Sequence, residues 1–93
     1  MAKVYLDGLL VAHSAAEHAL VDLYLEEHIA LTRAEPGCLK FEVTEDPKDR
    51  NKFHVSEIFD SEEAFDAHQV RAKNSEWGQI SAPLERRFKK RVE

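Results

Sequence analysis

The spacing of apolar and polar residues changes several times along the chain, and each change predicts a new element. Residues 3–12 are rich in strand formers and predict a first β-strand. Helical spacing follows, and Ser14 with Glu17 three residues later predicts a capping box at the helix start. Pro36 and Gly37 end this helix, because proline cannot continue it and glycine accepts a left-handed conformation. The helix is predicted to bury one apolar stripe, made of Ala16, Leu20, Leu23, Tyr24 and Leu31.

Two alternating segments come next, separated by a turn at residues 46–51. In residues 38–45 every second side chain is apolar, and the set predicted to share a face is Leu39, Phe41 and Val43. In residues 52–60 the corresponding set is Phe53, Val55, Glu57 and Phe59. Alternation of this kind is typical of strands with one buried face.

The last third of the chain predicts a second helix and a final strand. Asp60 or Ser61 caps the helix, and one side of it carries Ala64, Phe65, His68 and Ala72. A short helical turn at residues 75–81 leads into a strand at residues 84–92. The order β-α-β-β-α-β predicts an α+β fold of the split-βαβ, ferredoxin-like class, with an antiparallel sheet and both helices on one face.

The length of 93 residues predicts a single domain over residues 1–93. A chain this short buries only about 60–65% of its unfolded surface, so a second copy would add useful burial. We therefore expect a homodimer. No apolar run approaches the roughly 20 residues that span a bilayer, and the N-terminus does not resemble a signal peptide. A single cysteine excludes an internal disulfide and fits a cytoplasmic location.

The formal net charge of −5 argues against a nucleic-acid partner. One local exception is the basic run near the C-terminus, which contains Arg86, Arg87, Lys89, Lys90 and Arg91. A nucleic-acid patch is one interpretation of this run. The alternative, which we favour, is a solvated edge strand whose charges oppose aggregation.

Motifs for cofactors and metals are not found in the sequence. The three glycines form no phosphate cradle of the dinucleotide or P-loop kind. His13 and His18 flank a glutamate, but their spacing is one residue longer than in the zinc-hydrolase motif. We therefore expect neither a cofactor nor a metal. Cys38 has no adjacent base and is interpreted as a small hydrophobe, not a nucleophile.

Several titratable residues fall on faces that are otherwise apolar. His68 lies on the inner side of the second helix, Glu57 on the inner face of the third strand, and His28 beside the apolar arc of the first helix. Burying such groups without a partner is costly, so they either form a structural pair or border a cavity. In the second case Tyr24 reaches the same cavity. Trp77, spaced with Ile80 and Leu84, is either core or a surface for an aromatic ligand.

Three segments together resemble the antibiotic biosynthesis monooxygenase family: RAEPGCLKFEV, DPKDRNKFHVSEIFDSEEAFDAH and SEWG. The similar features are Glu-Pro-Gly-Cys before the second strand, a strand of the form Phe-x-x-x-Glu, and an acidic helix start ending in Ala-His. They extend from about Thr32 to Gly78. The resemblance implies a dimeric α/β barrel in which each protomer keeps its own pocket between sheet and helices. It also implies that the Pro-Gly turn is a feature of the fold and not a catalytic centre.

The family includes oxygenases of quinols and anthrones that need no flavin, haem or metal, together with haem-degrading enzymes and an isomerase of a phosphorylated signal molecule. Haem-degrading members use an Asn, a Trp and a His. This chain has Asp7 but no Asn in its first strand, and it holds His68 and Gly78 at the positions resembling the other two. Haem degradation is therefore not expected.

The leading hypothesis from the resemblance is a cofactor-independent monooxygenase that oxidises a quinol-like or polycyclic phenolic molecule with dioxygen. His68 is the predicted base and Glu57 the carboxylate that orients a histidine, while the predicted substrate-binding residues are His28, Tyr24 and Trp77. One alternative is an isomerase of a small polar or phosphorylated compound, with Arg33 or Arg71 as the required cation. Another is a dimeric ligand-binding or stress-related module without catalysis.

Overall fold

Four strands and three helices follow one another in the order that the sequence predicts. The structure is a computed structural model that describes residues 2–93. Its elements are β1 (Val4–Val11), α1 (Ala15–Arg33), β2 (Cys38–Glu45), β3 (Lys52–Phe59), α2 (Glu62–Lys73), the short α3 (Glu76–Ile80) and β4 (Glu85–Val92). The predicted β-α-β-β-α-β order is confirmed, with α3 corresponding to the helical turn expected before the last strand.

The strands form one antiparallel sheet in the order β2-β3-β1-β4. In the register, Glu57 of β3 lies opposite Leu6 of β1 and Phe41 of β2. Side chains of α1, α2 and β4 share one cavity with inward-facing residues of these strands, which places the helices on one face. The ferredoxin-like class predicted from the sequence is confirmed.

Side-chain caps fix where the two long helices begin. The Ser14 hydroxyl accepts a hydrogen bond from the Glu17 N–H at 3.1 Å, and the Glu17 carboxylate accepts from the His13 N–H at 2.8 Å. The predicted cap is present, but the glutamate reaches one residue further back than a capping box requires. At α2, Ser61 and not Asp60 is the cap, since its hydroxyl accepts from the Ala64 N–H at 3.1 Å.

The predicted buried stripe of α1 is wrong. Leu23 and Leu31 remain 73% and 46% exposed, whereas Val21, His28 and Thr32 are buried. The buried arc instead contains a histidine and a threonine, and the threonine hydroxyl finds a partner within the helix. The Thr32 hydroxyl donates to the His28 carbonyl at 2.7 Å.

The predicted inward face of β2 is also wrong at one position. The pairing of β2 with β3 shifts between Cys38 and Lys40, and Leu39 is 54% exposed. A bulge of this kind places an extra residue in one strand and reverses the alternation on one side of it. Cys38 consequently lies on the helix side together with Phe41.

The core consists of two clusters on the helix side of the sheet. The larger contains Leu10, Ala12, Val21, Phe53, Val55, Trp77 and Leu84. The smaller contains Val4, Leu6, Phe59 and Phe65. Across residues 2–93, none of the helices combines the length and the apolar character needed to cross a membrane.

Candidate active site

A cavity of about 330 Å³ lies between the sheet and the helices. Its floor includes Leu6, Phe41 and Val55 from three neighbouring strands. His28 and His68 enter from the two long helices, and β4 closes the far side. Mostly apolar walls with a few polar groups are typical of small-molecule sites.

His68 is held in one orientation by a carboxylate. Its Nδ1 lies 2.9 Å from Glu35 Oε1, and its ring stacks on Phe59 with 4.9 Å between centroids. Only 3% of the residue is exposed. Burial lowers the pKa of His68, and the charge and hydrogen bond of Glu35 partly oppose this effect. The imidazole is therefore neutral at pH 7, and with Nδ1–H donating to Glu35 its Nε2 keeps a free lone pair.

Glu35 was missed in the sequence analysis. It follows the end of α1, and its second oxygen accepts a hydrogen bond from the Arg71 guanidinium of α2. Arg71 also donates to the Thr32 hydroxyl at 2.9 Å. Glu35 is thus fixed from both sides, and it joins the end of α1 to α2. Because it lies in a turn, it belongs to no periodic pattern that could have identified it.

Glu57, predicted to orient a histidine, does not form a hydrogen bond with His68. Its Oε1 lies 3.8 Å from His68 Nε2, beyond hydrogen-bond distance, whereas Glu35 holds the other ring nitrogen at 2.9 Å. The residue is 6% exposed, and Oε1 has no hydrogen-bond partner within the described part of the chain. Burial, with smaller contributions from Glu35 and Asp7, raises the pKa of Glu57 to about 8. At pH 7 this side chain is predominantly a neutral carboxylic acid.

His28 lies between aromatic rings in the same cavity. Its ring stacks on Trp77 with 5.2 Å between centroids and meets Phe41 edge-on at 5.3 Å. Burial lowers the pKa of His28 to about 3, and the positive charges of His68, Arg71 and Arg86 act in the same direction. Its buried Nδ1 is without a hydrogen-bond partner in residues 2–93. His28 is therefore a neutral imidazole at pH 7 that lines the cavity.

The other predicted site residues lie in different surroundings. Trp77 belongs to the larger core cluster and also lines the cavity. Tyr24 packs against that cluster and does not line the cavity. Of the two arginines considered for an isomerase, Arg71 binds Glu35, and the Nε of Arg33 donates to the Phe41 carbonyl at 3.1 Å.

Cys38 packs against the smaller core cluster and is half-buried. Burial raises the pKa of its thiol, and the carboxyl groups of Glu35 and Glu57 add to the effect. A raised pKa leaves little of the reactive thiolate at neutral pH. These surroundings are those of a small hydrophobe.

The basic run of β4 does not form one continuous patch. Residues alternate between the two faces of a strand, so Arg86 and Lys90 face the helices, whereas Arg87, Lys89 and Arg91 face away. Lys90 accordingly lies 4.9 Å from the ring centroid of Phe65. Elsewhere within residues 2–93, no three His, Cys, Asp or Glu side chains are placed to hold a metal ion.

The family model described as antibiotic biosynthesis monooxygenase matches residues 4–77 of the chain. That span includes the cavity residues of β1, β2, β3, α1 and α2. The sequence matches no curated protein.

Solved structures with the same fold cover nearly the whole chain. A candidate antibiotic biosynthesis monooxygenase from Nitrosomonas europaea has a TM-score of 0.76 at 15% identity, covering 99% of this chain and 88% of that one. A second candidate, from Chloroflexus aurantiacus, has a TM-score of 0.74 at 22% identity, covering 100% and 93%. SnoaB, a cofactor-independent oxygenase from Streptomyces nogalater, has a TM-score of 0.73 at 11% identity, covering 99% and 90%. At these identities the likeness establishes the fold.

Proposed function

Since the chain belongs to the antibiotic biosynthesis monooxygenase family, we propose that it is a cofactor-independent monooxygenase acting on a quinol-like or polycyclic phenolic molecule. The observation that carries the proposal is the state of His68. Glu35 holds its Nδ1 at 2.9 Å, and its Nε2 is left to accept a proton inside an apolar cavity. An oriented neutral imidazole beside a ligand-sized cavity is the arrangement that general-base catalysis requires.

In the proposed reaction the substrate itself supplies the electrons. His68 Nε2 removes the hydroxyl proton, and the resulting anion passes one electron to dioxygen. The substrate radical and superoxide combine to form a carbon–oxygen bond, and the proton returns from His68 to give a hydroperoxide. Loss of the remaining hydrogen on that carbon and cleavage of the O–O bond leave a carbonyl and release water. One oxygen atom enters the product and the other leaves as water.

Glu57 has a different role in this proposal from the one predicted for it. As a buried neutral acid with an unpaired oxygen, it donates a hydrogen bond to the oxygen that becomes negative during the reaction. It can also protonate the departing hydroxide. We expect kcat/KM to rise with pH as His68 loses its proton, at a pH below the ordinary value of 6.5, and to fall near pH 8 as Glu57 ionises.

Aromatic residues give the cavity its selectivity for flat ligands. Trp77 and His28 stack at 17° to each other, and Phe41 stands at 80° to His28. A planar ring fits against such surfaces by stacking or edge contacts. The burial of Glu57 and His68 also strengthens the electrostatic interactions that stabilise the anion.

The proposal is tested by oxygen uptake with a panel of hydroquinones and anthrones. His68→Gln keeps the polarity and approximate size of the side chain but cannot titrate, so turnover is expected to fall about 100-fold or more. His13→Gln is the matched control, because His13 also contacts a carboxylate, Glu85 at 2.8 Å, but lies exposed outside the cavity.

The melting temperatures of His68→Ala and His68→Gln complete the test. A variant that is destabilised yet turns over substrate normally would show that the His68–Glu35 pair is structural. Ligand binding without oxygen uptake across the whole panel would instead favour the isomerase or the binding module.

A further inference from the structure

Two positive side chains line the cavity without a negative partner. Arg86 of β4 and Lys73 at the end of α2 both contribute to its wall. Within residues 2–93, neither lies within ion-pair distance of a carboxylate, although Arg71, Arg87 and Arg91 each contact one. Both residues are also exposed to solvent, but each lies where a ligand in the cavity could supply the opposite charge.

The guanidinium of Arg86 is fixed in place by the turn before β4. Its Nη1 donates to the Ser81 carbonyl at 2.8 Å and to the Leu84 carbonyl at 3.3 Å, and its Nη2 donates to the Ser81 hydroxyl at 2.8 Å. Ser81 is fully buried. These bonds fix the guanidinium at the cavity wall, although the residue as a whole is exposed to solvent.

The same bonds leave one edge of the guanidinium free. They occupy the edge formed by Nη1 and Nη2, whereas Nε–H and the adjacent Nη2–H have no acceptor within the described residues. Those two donors form the fork that binds a planar carboxylate with two parallel hydrogen bonds. A lysine at this position would present a single point charge instead.

We propose that the β4 end of the cavity binds a carboxylate, so that the ligand is a fused aromatic hydroxy acid. The hydroxyl lies at the His68 end and the carboxylate binds Arg86, with Lys73 adding positive charge nearby. The placement of the ligand hydroxyl beside His68 depends on the proposed function. The placement of the carboxylate at Arg86 does not depend on it, because it concerns binding alone and applies whether or not the ligand is turned over.

The sheet register sets the spacing between the two ends. Glu57 lies opposite Leu6, and Arg86 lies opposite Leu10 of the same strand. Four residues along β1 and two strands across give a backbone separation of about 16 Å. The side chains of Glu57 and Arg86 extend from the backbone and so shorten the distance between their polar groups. The remaining distance suits a ligand of two or three fused rings.

The test is calorimetric binding at pH 7 of two ligands that differ only in the carboxylate: 2-naphthol and 6-hydroxy-2-naphthoate. We expect the acid to bind about 10-fold or more tightly than the naphthol. The isomer 3-hydroxy-2-naphthoate, whose two groups are adjacent, should show less of this preference. Arg86→Gln should abolish the preference and Arg86→Lys should reduce it. Arg50→Gln, at an exposed turn, should leave it unchanged.

The ratio of the two affinities distinguishes a loss of carboxylate recognition from a loss of folding. A general loss of structure would weaken the binding of both ligands equally and leave the ratio unchanged. If Arg86→Gln does not fold, Lys73→Gln must reduce the ratio by about threefold. Equal binding of the two ligands to the unaltered protein would overturn the inference, as would a preference that survives Arg86→Gln. Tighter binding of 2-naphthyl phosphate would overturn it in favour of a phosphorylated ligand. Failure of oxygen uptake with the acid preference intact would count against the proposed function alone.

Discussion

The two faces of the sheet carry similar polar side chains in opposite surroundings. On the face without helices, Ser56 lies opposite Asp7 and Glu42, where solvent reaches all three strands. One residue further along β3, Glu57 lies opposite Leu6 and Phe41 and is only 6% exposed. The carboxyl groups on the outer face are therefore solvated, whereas Glu57 on the inner face is buried, and this burial raises its pKa to about 8.

A second contrast involves two histidine–carboxylate pairs of nearly equal length. His13 and Glu85 lie 2.8 Å apart with side chains 56% and 37% exposed, whereas His68 and Glu35 lie 2.9 Å apart with 3% and 15% exposed. Solvent screens the first pair strongly, whereas the buried second pair is screened less. Burial beside a cavity, more than the distance between the partners, distinguishes the candidate site.

The largest expected effect concerns what covers the face without helices. It carries acidic Glu42 on β2 at one edge and basic Arg87, Lys89 and Arg91 on β4 at the other, so a two-fold related copy can place opposite charges together. We expect light scattering at low micromolar concentration to give twice the 10.7 kDa of one chain. Ile58→Lys puts a charge beside Lys40 on this face and should return the mass to that of a single chain.

Leu23→Lys is the control for the dimer. Leu23 is also apolar and is 73% exposed, but it lies on the outer side of α1. The same mass as the unaltered protein is expected. A single-chain mass for the unaltered protein would show that this face needs no second copy.

The next effect in size is expected at Glu35. Glu35→Gln removes the charge that raises the pKa of His68 while keeping an acceptor for Nδ1–H. We expect kcat to fall about 10- to 100-fold with little change in KM. The acid limb of the pH–rate profile should also move to lower pH, because the imidazolium loses its stabilising neighbour.

Glu85→Gln makes the same change in the exposed His13 pair, so its kinetics should not differ from those of the unaltered protein. A Glu35→Gln protein with a lower melting temperature but an unchanged kcat and pH profile would show that Glu35 only joins α1 to α2.

The fold and the inward positions of Glu57 and His68 could be predicted because they depend on local patterns. Strict alternation in β3 places Glu57 among apolar residues, and helical spacing places His68 beside Phe65. The face of α1 could not be predicted in the same way. Apolar residues occur all around this helix, so the choice depends on partners such as Thr32 and the His28 carbonyl.

Glu35 and Arg86 were beyond such patterns for a different reason. Glu35 contacts a histidine 33 residues away, and this contact exists only after α2 packs beside the end of α1. Arg86 belongs to a charged run that predicts a solvated strand, yet the turn at Ser81 draws its guanidinium to the cavity. In both residues the position of the side chain is determined by contacts between segments that are distant in sequence.

A smaller effect is expected in the pH dependence of stability. The folded pKa of Glu57 is raised from 4.5 to about 8, so its contribution is complete below pH 4.5 and is lost as pH rises to about 8. The folded pKa of His28 is lowered from 6.5 to about 3, so its contribution is complete above pH 6.5 and is lost as pH falls to about 3. These two groups favour greatest stability between pH 4.5 and pH 6.5.

Urea unfolding across this pH range measures the effect. Glu57→Gln should remove most of the decline between pH 6.5 and pH 8, which amounts to a few kcal/mol. Glu26→Gln changes an exposed glutamate in the middle of α1 and should leave the decline in place. Equal declines in the unaltered protein and Glu57→Gln would mean that Glu57 is not the group responsible.

The smallest effect is expected at Cys38, which faces the helix side but stays half-buried. Cys38→Ser replaces the thiol with a hydroxyl of similar size, and the partial exposure of the site lets water satisfy that hydroxyl. The loss of stability should be about 1 kcal/mol or less, and oxygen uptake should be retained. Since burial and two carboxyl groups raise the thiol pKa, modification by a thiol reagent at pH 7 should be slow and should quicken with rising pH. A folded Cys38→Ser protein without turnover would contradict this interpretation and would move the chemistry from His68 to the Pro-Gly turn.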